Sequence, residues 1–148
     1  MRRASTRPAL VIALTVTAAV LVGCIAGDEP SPRVIDGAFP PRVDLPALPF
    51  RVTDRTGLIR AVAAVNPGDV IEGVSQVPGR DDALYLLWIG GACDRQVHLV
   101  FDWQAEPTLE LTTEHDLGGC RMVGIDRNLM IEFTRPVDAA TVVYGTLD

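Results

Sequence analysis

The sequence predicts an all-β domain over residues 50–148, seven or eight short strands closed into a β-sandwich or small barrel. Three observations carry that expectation. Apolar residues recur with period two in short runs, as in strands buried on one face. Turn residues break these runs about every ten positions, the spacing of sandwiches and barrels. No run sustains a convincing long helix. Roughly a hundred residues suffice for one small core and not for two.

In order, Phe50-Arg51-Val52 leads into a turn at Asp54-Arg55-Thr56-Gly57. Residues 58–65 follow and suit a strand or a short helix, because Ala61, Ala63 and Ala64 fit either. Asn66-Pro67-Gly68-Asp69 is a strong break. Residues 70–77 read as a strand, and Pro78-Gly79-Arg80-Asp81-Asp82 turns the chain again. Residues 83–89 are apolar at nearly every position, which marks a central strand covered on both faces. In residues 96–103, Val97, Leu99, Phe101 and Trp103 alternate with Gln96, His98 and Asp102. Leu109 and Leu111 alternate with Glu110 and Thr112, residues 121–125 form a short strand, and Leu129, Ile131 and Phe133 alternate with Glu132 and Thr134. Residues 142–144 end the series.

The segment Ile131-Glu132-Phe133-Thr134-Arg135-Pro136-Val137-Asp138-Ala139-Ala140-Thr141-Val142 resembles the "strand, Phe-Ser/Thr-x-Pro-Val-Asp, strand" segment of bacterial Ig-like domains. The resemblance covers about a dozen residues. It implies an Ig-like β-sandwich in which this segment is structural, so no functional residue follows from it.

Residues 1–23 read as an export signal. Arg2, Arg3 and Arg7 form a positive start without an acid, and residues 9–22 are apolar except for Thr15 and Thr17. Fourteen helical residues span about 21 Å, short of the roughly 30 Å of a bilayer core. Leu21-Val22-Gly23-Cys24 then resembles the lipobox of bacterial membrane lipoproteins. That resemblance implies a diacylglycerol thioether, with palmitate-type acyl chains, on Cys24 as the first mature residue. It places the chain on the extracytoplasmic face of a cell membrane. Each buried methylene contributes about 0.8 kcal/mol, and two chains anchor stably where one does not.

Residues 25–49 hold six of the eleven prolines and no sustained hydrophobic period. Together with Cys24 they read as a proline-rich tether (24–49), semi-extended because proline restrains its predecessor. Val43, Leu45, Leu48 and Phe50 offer the alternative of an edge segment packed on the domain.

Removing residues 1–23 takes three of the thirteen basic residues and none of the nineteen acids, moving the net charge from −6 to −9. An acidic chain is poorly suited to nucleic acid, where phosphate neutralisation dominates binding. It leaves anchoring to the lipid. All thirteen basic residues are Arg, a bias that fits a GC-rich, actinobacterial source.

With Cys24 lipidated, Cys93 and Cys120 remain as an even pair in an exported domain, which reads as a disulfide. The ring of about 28 residues is worth about 3.5 kcal/mol in the chain-entropy view. Gly90-Gly91 and Gly118-Gly119 let the backbone approach at both cysteines. The mirrored spacing Cys93-x4-His98 and His115-x4-Cys120 suggests a zinc set. An extended 93–98 segment, however, separates Cys93 from His98 by about 16 Å on opposite faces. The same separation opposes a Cys93–His98 nucleophilic pair. Asp81-Asp82 and Glu114–Asp116 are too sparse in oxygen ligands for calcium and read as solvated turns, as does His115-Asp116. No metal, cofactor or catalytic residue is assigned.

The expectation is therefore a non-catalytic lipoprotein that binds an envelope protein or another envelope component. Candidate contacts are Trp88, Asp94, Arg95, Arg121 and Arg127, near the glycine pairs. Against that stands a plainer reading, with Trp88 in the core and the arginines in surface ion pairs. A small-ligand carrier and an enzyme built on Cys93 are the rival functions.

Overall fold

The computed structural model describes residues 31–40, 47–66, 72–116, 118 and 123–147. These form nine strands: β1 (Arg33–Ala38), β2 (Pro49–Asp54), β3 (Ile59–Ala64), β4 (Gly73–Gln76), β5 (Ala83–Gly91), β6 (Asp94–Trp103), β7 (Pro107–His115), β8 (Gly124–Phe133) and β9 (Val143–Leu147). One sheet runs β1-β2-β6-β7-β9 and the other β3-β8-β5-β4. The first contains two parallel pairs, β2 with β6 and β7 with β9. The second is antiparallel throughout.

Alternation in the sequence becomes the two inner faces. Phe50 and Val52, then Val97, Leu99 and Phe101, then Leu109 and Leu111 point from the first sheet into the core. Leu84, Leu86 and Trp88 meet them from β5, and Leu129, Ile131 and Phe133 from β8. Phe101 and Phe133 join the sheets with ring centroids 5.1 Å apart. The outer face of β6 carries His98, whose Nε2 lies 2.9 Å from Thr53 Oγ1 on β2. The two sheets make the chain an all-β sandwich.

Several boundaries differ from expectation. The chain expected as a tether supplies β1, which pairs antiparallel with β2 from Arg33↔Asp54 to Ala38↔Pro49. Its neighbours Phe39 and Leu48 are buried in the core. Prolines flank this strand and do not interrupt it, so among the described residues the sheet takes in the chain from Arg33 onward. Residues 58–65 settle as strand, with Ile59 fully buried. The strand expected over 121–125, whose first two residues lie outside the described ones, and that over 129–133 join as one: β8 runs unbroken over ten residues opposite β5. Asp126, Arg127 and Asn128 supply the residues between, and buried Arg127 falls on the same face as Ile125 and Leu129, so the alternation continues through a stretch that looked like a gap.

The β2–β3 turn is built on one carboxylate. Asp54, wholly buried, accepts from Thr56 N–H (2.8 Å), Thr56 Oγ1–H (2.6 Å), Gly57 N–H (2.9 Å) and Ile59 N–H (2.9 Å). Gly57 takes φ 69° there, a conformation glycine adopts without strain. Arg33 Nη2 lies 3.7 Å from Asp54 Oδ2, tying β1 to the same turn. In the segment of residues 131–142, Val137 plugs the core and its N–H donates to Asp81 C=O (2.8 Å). Asp138 caps the 3-10 turn Ala139–Thr141 through Ala140 N–H (2.9 Å).

A surface network gives the fold a pH signature. Arg80 bonds both Asp82 (2.9 Å) and Glu132, and Arg60 reaches the same two carboxylates at 3.2 and 3.1 Å. The Arg80 hydrogen bonds hold both carboxyls below the usual carboxylate range. A depressed folded value means stability that is present above the unfolded value, near 4, and is lost as the pH falls through the folded one. We therefore expect the urea midpoint to drop as the pH falls below about 4.5. Glu132→Gln should flatten that slope, and added salt should flatten it in the wild type. Equal slopes in wild type and Glu132→Gln would disprove the assignment.

The register defines two ends of the sandwich. Ser31 and Pro32 enter beside Arg55, Trp103 and Arg135. At the opposite end lie the Asp94↔His115 and Gly91↔Gly124 pairs. The ten residues of β6 separate the two ends by about 30 Å.

Candidate functional site

At the far end the chain crosses between sheets twice. β5 passes into β6 through Ala92-Cys93 alone, and β7 leads toward β8 through residues 116–123. Between these crossings opens a cleft of about 400 Å³. Trp88, Leu111 and Thr113 line it from the two inner faces, with Ile89, Gly90, Gly91, Val123 and Gly124 at the crossings. Ile89 and Val123, 59 and 54% exposed, are two of the large apolar side chains presented to solvent. Glu72, Asp94, His115 and Thr146 add the polar groups.

Asp94 is the best-anchored of these. Its side chain is fully buried, its Oδ2 accepts from Gly91 N–H at 2.7 Å, and its Oδ1 lies 2.9 Å from His115 Nδ1. The glycine pair exists for this carboxylate. A Cβ on Gly90 would come within 2.7 Å of Asp94 Oδ2, and one on Gly91 within 2.8 Å of Oδ1. Since an ionised carboxylate only accepts, His115 Nδ1 carries the proton of this pair, on a ring that is itself exposed.

Of the residues singled out in the sequence, Trp88 and Asp94 line the cleft. Trp88 is at the same time core, edge-on to Phe39 at 5.5 Å. Arg95 pairs with Asp116 at 2.8 Å on the surface, the plainer role expected of it. Arg127 corrects that expectation. It is buried over the Phe39 ring, 5.3 Å from its centroid, because its place in β8 points inward. Cys24, Cys120 and Arg121 lie outside the described residues.

His115 corrects a further reading. It belongs to a cross-strand pair with Asp94 and not to a solvated loop. His98 lies opposite Thr112, further along β6 and bonded to Thr53. Among the described residues no three His, Cys, Asp or Glu side chains gather as a metal site. Nor is any helix there long and apolar enough to cross a membrane. Sequence reading missed His115, Ile89 and Val123 as cleft residues.

No family model, curated protein or solved structure matches the chain.

Proposed function

We propose that the chain is a non-catalytic extracytoplasmic lipoprotein, held on the cell membrane by lipid on Cys24, whose far-end cleft binds a small ligand or a protruding side chain of an envelope partner. The observation that carries this reading is the cleft itself. It combines apolar walls with a few fixed polar groups, the composition of binding pockets. It also lies at the end opposite the N-terminal entry, so an anchor at Cys24 leaves it open to the envelope space. Between Cys24 and Arg33 the chain reaches at most about 30 Å, a shorter tether than the prolines suggested.

The sandwich is Ig-like in its two packed sheets and not in strand order. In immunoglobulin domains the second and fifth strands pair directly in one sheet, whereas here β2 and β5 lie in different sheets. A Cys93–Cys120 disulfide completes the proposal. Asp116 N–H donates to Cys93 C=O at 3.0 Å and Gly124 pairs with Gly91. Both feet of the segment carrying Cys120 therefore stand beside Cys93. Commitment of that thiol leaves the enzyme reading without its nucleophile.

The test uses a neutral apolar fluorophore, N-phenyl-1-naphthylamine, on the full chain. It should bind the wild type, and Thr113→Trp, which fills the cleft from β7, should weaken binding at least tenfold with an unchanged melting temperature. Equal binding to both proteins would refute the cleft as the site.

A further inference from the structure

Resting on the lipid-anchor reading, we infer that the entry end of the sandwich is a second interaction surface, one that seats on anionic lipid headgroups. The chain leaves this end at Ser31 and Pro32, only seven residues beyond Cys24 in the sequence, so an anchored molecule carries it within about 25 Å of the bilayer. Beside the entry lies an open groove of about 910 Å³ whose walls include Arg55, Trp103 and Arg135. The Arg135 guanidinium stacks on Trp103, 3.9 Å from the ring centroid, and takes part in no ion pair among the described residues. Arg55 is held at 3.3 Å by Asp102, with its guanidinium more than half exposed. An amphipathic aromatic beside an arginine suits the bilayer interface, where the ring sits among headgroups and the cation meets phosphate.

The charge asymmetry orients the molecule the same way. At the far end Glu72, Glu114, Asp116 and Asp126 are exposed, against Arg95. At the entry end Arg33, Arg55, Arg60, Arg80 and Arg135 stand against Asp81, Asp82, Asp102, Glu106, Glu132 and Asp138, apart from the buried Asp54. An anionic surface therefore repels the far end, where arginines are scarce, more strongly than the entry end, where they nearly balance the acids, and this turns the cleft outward. Each arginine near such a surface contributes about fivefold in affinity at moderate salt.

Lipidated full-length protein in phosphatidylglycerol/phosphatidylcholine vesicles tests this, with a headgroup spin-labelled lipid as quencher. The chain has two tryptophans, and Trp88 is buried. Quenching should come from Trp103, vanish in Trp103→Phe, and fall at least threefold in Arg135→Glu while that protein stays vesicle-bound. Vesicle-bound wild type with unquenched Trp103 would overturn the seating and leave the anchor intact. Protein that stays in the aqueous phase would remove the anchor, and the seating with it.

Discussion

Asp54→Ala is expected to destabilise the domain by about 3–5 kcal/mol, the range for breaking a buried charged network. The lost carboxylate serves three backbone N–H groups and the Thr56 hydroxyl from within the core. Removing it leaves those donors buried without acceptors, each at a cost of about 1–3 kcal/mol before the turn relaxes. It also frees Arg33 and so loosens β1. Asp54→Asn separates charge from geometry. With its oxygen in the Oδ1 place the amide keeps three of the four donors, while its NH2 opposes Ile59 N–H and Arg33, so Asn should recover about half of the loss. Urea unfolding of the three proteins measures both. A loss below about 1 kcal/mol for Asp54→Ala would show that the turn holds without its carboxylate.

That turn also shows how far residue patterns reach. Asp54-Arg55-Thr56-Gly57 is legible as a turn because Asp and Gly have local reasons to be there. That Asp54 is buried, and reached by an arginine twenty-one positions earlier, is a tertiary fact. The same division runs through the fold. Val97, Leu99 and Phe101 announce their face by alternation, and 83–89 announces a central strand by having no polar face. β1 was hidden because Arg33-Val34-Ile35-Asp36-Gly37-Ala38 lies at a sheet edge, where little burial is needed and the sequence carries little period. Gly37 supports it only through its neighbour, since the Phe50 ring of β2 lies across the space a Cβ would fill. The candidate site was legible in part for a similar reason. Gly90-Gly91 drew attention to the right crossing as a place for the backbone to bend. What the glycines admit is the Asp94 carboxylate, and its partner His115 comes from the neighbouring strand, at a distance in sequence that no local pattern encodes.

The other large effect concerns the crossing that bounds the cleft. With Cys93 paired to Cys120, the β5–β6 and β7–β8 crossings, which both pass between sheets at the far end, are stapled to each other. Opening a ring of about 28 residues should then cost about 3.5 kcal/mol, through freedom returned to the unfolded chain. Lipidated protein, denatured without reductant, should show no free thiol. Adding reductant, or making the Cys93→Ser/Cys120→Ser double variant, should lower the urea midpoint by an amount equivalent to that energy. The native cleft adds a readout that a purely unfolded-state effect would not move. Gly90, Gly91, Val123 and Gly124 belong to these same crossings, so the variant should bind N-phenyl-1-naphthylamine several-fold more weakly even where it is fully folded. Two thiols titrating in the denatured, unreduced protein would abolish the staple and restore the case for chemistry at Cys93. Unchanged probe binding alongside the stability loss would confine the crosslink to the unfolded chain and leave the cleft shaped by Asp94 and His115 alone.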